Sequence, residues 1–140
     1  MEKVGSKFNI LLNKNIYCIE KEYFGNSIFI LKDLIFKNLN KGEDTLLISH
    51  IIKTIGDSLN ISKKHGRSQG YVHLYLDDCG KKNFSFGFFK KIHKMLSTIY
   101  EDSLVELYIY TNSKFFSLIW PLLKQFIDPD TQAKIKIIRR

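Results

Sequence analysis

The 140-residue sequence has few cysteines, few prolines and no long hydrophobic run, and each shortage excludes a class of protein. Cys18 and Cys79 are too few and too far apart for a disulfide framework, so they predict a reducing compartment, the cytoplasm. Apolar stretches are interrupted before they reach the roughly 20 residues that span a bilayer. No signal peptide follows Met1. Without repeats or a Pro- or Gly-rich linker, residues 1–140 are expected to form a single domain.

Motifs of catalysis are also missing. There is no Gly-rich phosphate loop and no G-x-S-x-G turn, and the four histidines lack the spacing of metal ligands. The sequence therefore predicts no catalytic residue, no metal, no cofactor and no enzymatic activity. We interpret Asp77-Asp78 as turn formers rather than Mg²⁺ ligands, and we expect both acids to raise the pKa of Cys79, which argues against a nucleophile.

Positive charge is what the sequence has in excess. There are 22 Lys and Arg against 14 Asp and Glu, a formal net charge of +8. Such a charge attracts anionic membranes, phosphorylated ligands or nucleic acid. The cations are scattered along the chain, and no aromatic-plus-basic motif typical of nucleic-acid binding is present, so a nucleic-acid partner is not expected.

Hydrophobic periodicity predicts strands that alternate with helices. The predicted strands are 15–23, 27–38 (after a turn at Gly25-Asn26), 71–76, 104–110 and 133–138, and the predicted helices are 43–59, 84–100 and 113–126. Residues 27–38 could also form a helix, and their β-branched residues favour the strand. This order indicates an α/β domain with a mixed, mainly parallel sheet flanked by helices. Parallel sheets bind ligands at the carboxyl ends of their strands, which points to Asp77-Asp78 and to Tyr110-Thr111-Asn112.

The predicted helix 113–126 is apolar on nearly every side. Such a helix either is buried in a core or lines an apolar cavity, and the sequence leaves both interpretations open. The residues expected to be buried are Leu74, Ile92, Phe116, Trp120 and Leu123. The candidates for lining a pocket are Phe115, Phe116, Ile119, Trp120 and Leu123.

Several short motifs in the second half resemble those of one family. They are Asp77-Asp78-Cys79-Gly80 after a strand, the turn Tyr100-Glu101-Asp102-Ser103, Phe116 to Trp120, Lys124 to Pro129, and Thr131 to Ile135. In this order they resemble the CRAL-TRIO domain, whose fold is SpoIIAA-like. Ser103 and Thr111-Asn112-Ser113 depart from the family's Arg and Asn-Ala-Pro. The family's helical N-terminal subdomain and C-terminal gate segment have no counterpart in this stretch.

The resemblance implies a binding domain for a lipid or another apolar ligand, with phosphoinositides among the candidates, at an anionic membrane surface. In phosphoinositide-binding members, the positions of Asp102 and Lys134, 32 residues apart, contact the inositol head group. Two alternatives stay open. One is a protein–protein interaction module that keeps the sheet but has lost the pocket. The other is a STAS-like domain regulated by phosphorylation, with Ser85 as its candidate site.

Overall fold

A computed structural model describes residues 17–18 and 24–140. Its centre is a five-stranded sheet made of β1 (Tyr17–Cys18), β2 (Gly25–Ile30), β3 (Gly70–Tyr75), β4 (Leu104–Thr111) and β5 (Ile135–Arg139). The strands lie in chain order; β1 is antiparallel to β2, and β2 to β5 are parallel. The prediction of an α/β fold with a mixed, mainly parallel sheet is confirmed.

Within the described residues, four α-helices follow the strands of this sheet. They are α1 (Lys41–Lys64), α2 (Phe86–Ile99), α3 (Lys114–Leu123) and the short α4 (Pro129–Ala133). Asn40 caps α1 in a capping box with Glu43, Ser85 caps α2, and Ser113 caps α3. Because right-handed crossovers between neighbouring parallel strands all turn the same way, α1, α2 and α3 lie on one face of the sheet.

The structure differs from the prediction mainly at the ends of elements. Gly25 and Asn26 begin β2 rather than form a turn, and β2 ends at Ile30, where a turn and a 3₁₀ segment follow. α1 runs to Lys64, past the predicted end at residue 59, because the buried Ser62 faces the sheet rather than solvent. The predicted strand 15–23 is described only at Tyr17–Cys18, and its other residues lie outside the described part.

Small residues let α1 approach the sheet closely. The backbone N–H of Gly25 donates a hydrogen bond to Ser62 Oγ at 2.7 Å. A Cβ atom at Gly25 would overlap the carbonyl group of Ser58, and one at Gly70 would lie 3.0 Å from the carbonyl oxygen of Gly25. The contact of α1 with the sheet therefore needs glycine at position 25.

The face of the sheet away from the helices carries aromatic rings. Tyr75 and Tyr110 stack with ring centroids 4.4 Å apart, and His73 stacks against Tyr108 at 5.3 Å. His73 is buried between Tyr110 Oη, 2.9 Å from Nδ1, and Asn26 Oδ1, 2.7 Å from Nε2. These cross-strand pairs hold the parallel strands in register.

We predict that Gly25→Ala lowers the free energy of unfolding by at least about 2 kcal/mol, because the added methyl group overpacks the α1 contact. Urea unfolding followed by circular dichroism measures this change. Gly80→Ala is the matched control, since a Cβ atom there meets nothing within 4 Å. Equal stability of both variants would contradict the close approach of α1.

Candidate ligand-binding cavity

A cavity of about 520 Å³ lies between the helical side of the sheet and the helices. All four α-helices contribute to its wall, and the sheet forms its floor. The floor residues are the apolar side chains that point to this side from four strands and the residues just after them: Phe29, Leu31, Val72, Leu74, Leu76, Leu107, Ile109 and Ile135. Its volume is in the range of pockets that hold one small ligand, roughly 300–1,000 Å³.

The cavity exists because two helices stand away from the sheet. α2 has no fully buried residue, although Phe88, Phe89, Ile92 and Leu96 line the cavity. α3 is attached more firmly, because Phe116, Ile119 and Leu123 are buried. An amphipathic helix with its apolar face towards unfilled space forms the wall of a cavity rather than part of a packed core.

Polar residues are concentrated at one end of the cavity, which we call the mouth. It lies between the turn that precedes β4 and the segment that precedes β5. The polar lining residues there are Ser97, Tyr100, Glu101, Asp102, Ser103, Asp128, Asp130, Thr131 and Lys134, with His93 beside them. An apolar interior with a polar mouth suits a ligand that has an apolar body and a polar head.

Asp102 and Lys134 both line this mouth. Asp102 is exposed in a left-handed backbone conformation (φ 55°), and its carbonyl oxygen accepts a hydrogen bond from Gln69 Nε2 at 2.9 Å. Lys134 is half-buried just before β5, and its carbonyl oxygen accepts from the Leu107 N–H. Within residues 24–140, no ion pair joins the two side chains.

Comparison with family models gives a match to the CRAL/TRIO domain over residues 13–140. The chain belongs to the CRAL-TRIO family. Domains of this family generally bind lipids or other small hydrophobic ligands. Among solved structures, a crystal structure of Sfh5 matches with a TM-score of 0.74 and 14% sequence identity. The alignment covers 91% of this chain and 49% of that one, so the chain spans about half the length of Sfh5. No curated protein sequence matches.

Four of the five predicted pocket residues line the CRAL-TRIO cavity: Phe116, Ile119, Trp120 and Leu123. Phe115 is not among the residues that line the cavity; its ring packs on that of Phe84, itself a lining residue, with centroids 5.4 Å apart. Adjacent helical residues diverge by about 100°, so Phe115 and Phe116 do not share a face.

The predicted burial also needs correction. Phe116 and Leu123 are buried as expected, but Leu74, Ile92 and Trp120 are only half-buried. All three line the cavity, and unfilled space on one side leaves part of each side chain accessible. Although the sequence of the third helix is apolar on nearly every side, its outer side is open to solvent, since Leu118 is 72% exposed.

The sequence analysis pointed first to the carboxyl ends of β3 and β4 as the place for a ligand. The acids predicted there, Asp77 and Asp78, do not line the CRAL-TRIO cavity. Asp78 and Asn112 hydrogen-bond to each other twice, at 2.7 and 3.1 Å, and so connect the ends of β3 and β4. Asp77 pairs with Arg140 at 2.8 Å. These acids act as turn and pairing residues, and among residues 17–18 and 24–140 no cluster suited to a metal ion occurs.

Burial and the neighbouring Asp77 and Asp78 raise the pKa of Cys79 to about 12, so the thiol stays protonated at neutral pH. The predicted direction of the pKa shift is confirmed, with burial as the larger cause.

Ser85, the candidate phosphorylation site, uses its hydroxyl as the cap of α2 and accepts a hydrogen bond from the Phe88 N–H at 3.2 Å. The Ser85 hydroxyl therefore has a structural role at the start of α2.

Two residues have roles in fixing the cavity wall that the sequence analysis did not assign to them. Asn83 is fully buried, and its amide group donates to the carbonyl oxygens of Leu31, Lys32 and Leu34 just before α2 begins. Tyr100 ends α2 and donates from its hydroxyl to Ile52 O on α1 at 2.8 Å. For both residues, the sequence showed a polar side chain beside a predicted helix end. Such a position does not identify the partner of the hydrogen bond.

Because of the cavity, we expect Trp120 and Phe116 to contribute differently to the free energy of unfolding. We predict that Phe116→Ala costs about 3–5 kcal/mol of unfolding free energy, as for a fully packed aromatic residue. Trp120→Ala should cost less, about 1–3 kcal/mol, because part of its ring already faces unfilled space. Denaturant unfolding of both variants tests the order, and a larger loss for Trp120→Ala would show that its ring is packed on every side.

Proposed function

We propose that this chain is a non-enzymatic CRAL-TRIO binding domain, one unit over residues 1–140, that holds a lipid or another small apolar ligand with its head at the mouth. The observation that carries the proposal is the apolar cavity of about 520 Å³ with polar residues at one end. The volume suits a ligand with one slender or compact apolar body. A protein-interaction module without a pocket is less well supported, because the cavity is present.

A substitution that fills the cavity tests the proposal. Leu96 lies on α2, which has no buried residue, so Leu96→Trp can occupy the cavity without disturbing the core. We predict that this variant keeps its melting temperature within a few degrees and loses at least about tenfold in affinity for a fluorescent fatty-acid or lipid probe.

Leu46→Trp is the matched control, because Leu46 is exposed on α1 and does not line the cavity. Native mass spectrometry of the purified parent gives a second readout, in which co-purified lipid supports the proposal. Probe binding that is the same in the parent and in Leu96→Trp would mean that the probe binds elsewhere. A parent that binds no apolar probe would remove the proposed function.

We propose further that the exposed side of α3 attaches the domain to an anionic membrane. Lys114, Leu118 and Leu122 follow one another at helical spacing on this side, and Leu118 and Leu122 are exposed. The exposed Phe126 follows, with Lys90 Nζ 4.7 Å from its ring centroid. Exposed apolar residues beside lysines are the signature of a surface that enters the interfacial region of an anionic bilayer. Within the described residues, no helix has the length and hydropathy to cross a membrane.

We predict that Leu118→Asp/Leu122→Asp weakens binding to anionic vesicles at least about tenfold, because it removes inserted apolar area and adds like charge to that of the lipid. Vesicle co-sedimentation measures the change, and binding by the parent should also fall as salt rises. The control Leu46→Asp/Ile138→Asp changes the charge equally at exposed positions off α3. Equal losses in both double variants would refute the assignment of the surface.

The head of the ligand is proposed to meet Asp102 and Lys134. An ammonium group there can bind a single phosphate, and a carboxylate can accept hydrogen bonds from hydroxyl groups, which together suit an inositol lipid with one phosphate. The corresponding turn of the family has Glu at this position. Asp102 is one methylene shorter, so its carboxylate reaches less far into the mouth.

We predict that Lys134→Ala weakens binding of phosphatidylinositol by about tenfold or more and that Asp102→Asn weakens it less. Asn is chosen at position 102 because, like Asp, it tolerates the left-handed conformation there. Titration with soluble short-chain phosphatidylinositol measures both, with Lys136→Ala as the control, since Lys136 is on the opposite face of the sheet beside Glu106. If Lys134→Ala and Lys136→Ala bind alike, Lys134 has no head-group role.

A further inference from the structure

Basic side chains collect at the edge of the sheet where the parallel strands end. Because β2 to β5 are parallel, their carboxyl ends share one edge, and α1, α2 and α3 begin there. Exposed lysines and arginines lie at or after each strand end, and we give the name basic edge to these: Lys32, Lys81, Lys82, Lys114, Arg139 and Arg140. The mouth of the cavity lies at the opposite edge, before β4 and β5.

Hydrogen bonds between neighbouring segments bring these cations together. The amide group of Asn83 donates to the carbonyl oxygen of Lys32 at 2.9 Å, so the turn Lys81–Asn83 lies against the segment that follows β2. The hydroxyl of Ser113, the cap of α3, donates to the carbonyl oxygen of Cys79 at 2.7 Å. The segments that follow β2, β3 and β4 therefore form one continuous surface.

Most of the basic edge has no acidic partner. In the part of the chain that the structure describes, Arg140 pairs with Asp77 at 2.8 Å, and the four lysines of the basic edge form no ion pair. The carboxylate of Asp78 accepts a hydrogen bond from Asn112 instead, at 3.1 Å. The lysines therefore keep positive charges that no described carboxylate neutralises.

The positions of these cations are unfavourable for the fold itself. Both α2 and α3 begin at this edge, and neither has an acidic residue in its first turn. Lys114 is the first residue of α3, where the positive end of the helix dipole repels a cation. The stability of the fold gives no reason for lysines at this edge, and residues that break a local rule in this way are typical of functional surfaces.

Two anionic partners fit this edge poorly. A bilayer-binding surface needs exposed apolar residues, such as Leu118 on α3, and the exposed ring nearest along the chain, Phe86, lines the cavity instead. Single-stranded nucleic acid stacks its bases on aromatic rings. The rings at this edge, Tyr75 and Tyr110, stack on each other at 4.4 Å with the Arg140 guanidinium over both.

The mixed charge of this edge favours a protein partner. Asp33 and Asp78 are exposed among the cations. A bilayer or a nucleic-acid backbone presents closely spaced phosphates, which would meet these carboxylates as like charges. A protein segment can place its acidic side chains beside the lysines and leave the carboxylates of this edge to solvent or to its own cations.

We propose that the basic edge binds an acidic segment of a partner protein. The interaction goes beyond the binding of an apolar ligand and does not depend on it, because none of the four lysines lines the cavity. Lys114 also belongs to the side of α3 that is proposed to meet a membrane, so the variants that test the basic edge leave Lys114 unchanged.

Removal of charge from the turn before α2 tests the proposal. The full chain and Lys81→Gln/Lys82→Gln are titrated at low salt into a fluorescent glutamate-rich peptide, and binding is followed by anisotropy. A glutamine-rich peptide of equal length measures binding that needs no charge. We expect the variant to bind the acidic peptide at least about tenfold more weakly. Its melting temperature should stay within a few degrees of the parent's, because both lysines are exposed.

Lys63→Gln/Lys64→Gln is the matched control, because these adjacent exposed lysines end α1 at the opposite edge of the sheet. It should bind the acidic peptide as the parent does. Equal losses in the two double variants would mean that net charge alone attracts the peptide, and the proposal would be wrong. A parent that binds the acidic peptide no better than the glutamine-rich one would also overturn it.

Two further probes separate the classes of partner. If oligothymidylate displaces the peptide and loses as much affinity in Lys81→Gln/Lys82→Gln, the basic edge binds nucleic acid. If anionic vesicles lose as much affinity in this variant as in Leu118→Asp/Leu122→Asp, the basic edge belongs to the membrane surface. Either result overturns the proposal of a protein partner, whereas a loss confined to the acidic peptide supports it.

Discussion

The unequal distance of the helices from the sheet is the constraint on which the cavity depends. At α1 the facing residues are small, and Gly25 allows the backbone of β2 to meet the backbone of α1 near Ser58. At α2 and α3 the facing residues are large, with the rings of Phe88, Phe116 and Trp120 on the inner side. Because α1 contacts the sheet while α2 and α3 stand away from it, a wedge-shaped space remains that these rings do not fill.

Among residues 24–140, the topology places this space on the helical side of the sheet. Because β2 to β5 are parallel and in chain order, their crossover helices share a face, and the other face is built of cross-strand rings such as those of Tyr75 and Tyr110. The ends of α2 are fixed at Asn83 and Tyr100 by hydrogen bonds to neighbouring backbone carbonyls. The helix is therefore held at its ends and has few packed contacts between them, which leaves unfilled space on its inner side.

The sequence predicted the order of elements and the fold class because periodicity reports which side of a strand or helix is apolar. The family resemblance likewise located the segment around Asp102 and Lys134, both of which line the mouth. Periodicity could not separate an apolar side chain that is packed from one that faces a cavity, so Leu74, Ile92 and Trp120 were expected to be more deeply buried than they are. Empty space has no sequence signal of its own.

The distribution of charge over the folded chain could not be predicted from the sequence either. The net charge of +8 is a sum over the chain and carries no information about where each sign collects. Folding places Glu101 and Asp102 beside Asp128 and Asp130, although some 26 residues separate the two pairs. The outer side of α3, by contrast, combines Lys114 with Leu118 and Leu122. The mouth and the surface proposed to attach the domain to a membrane therefore differ in charge within one small domain. If the domain binds a membrane as proposed, the long-range field of its net charge acts without regard to the head group that is bound. Contact with a head group would take place at the mouth, so the two proposed steps depend on different residues and can be changed separately.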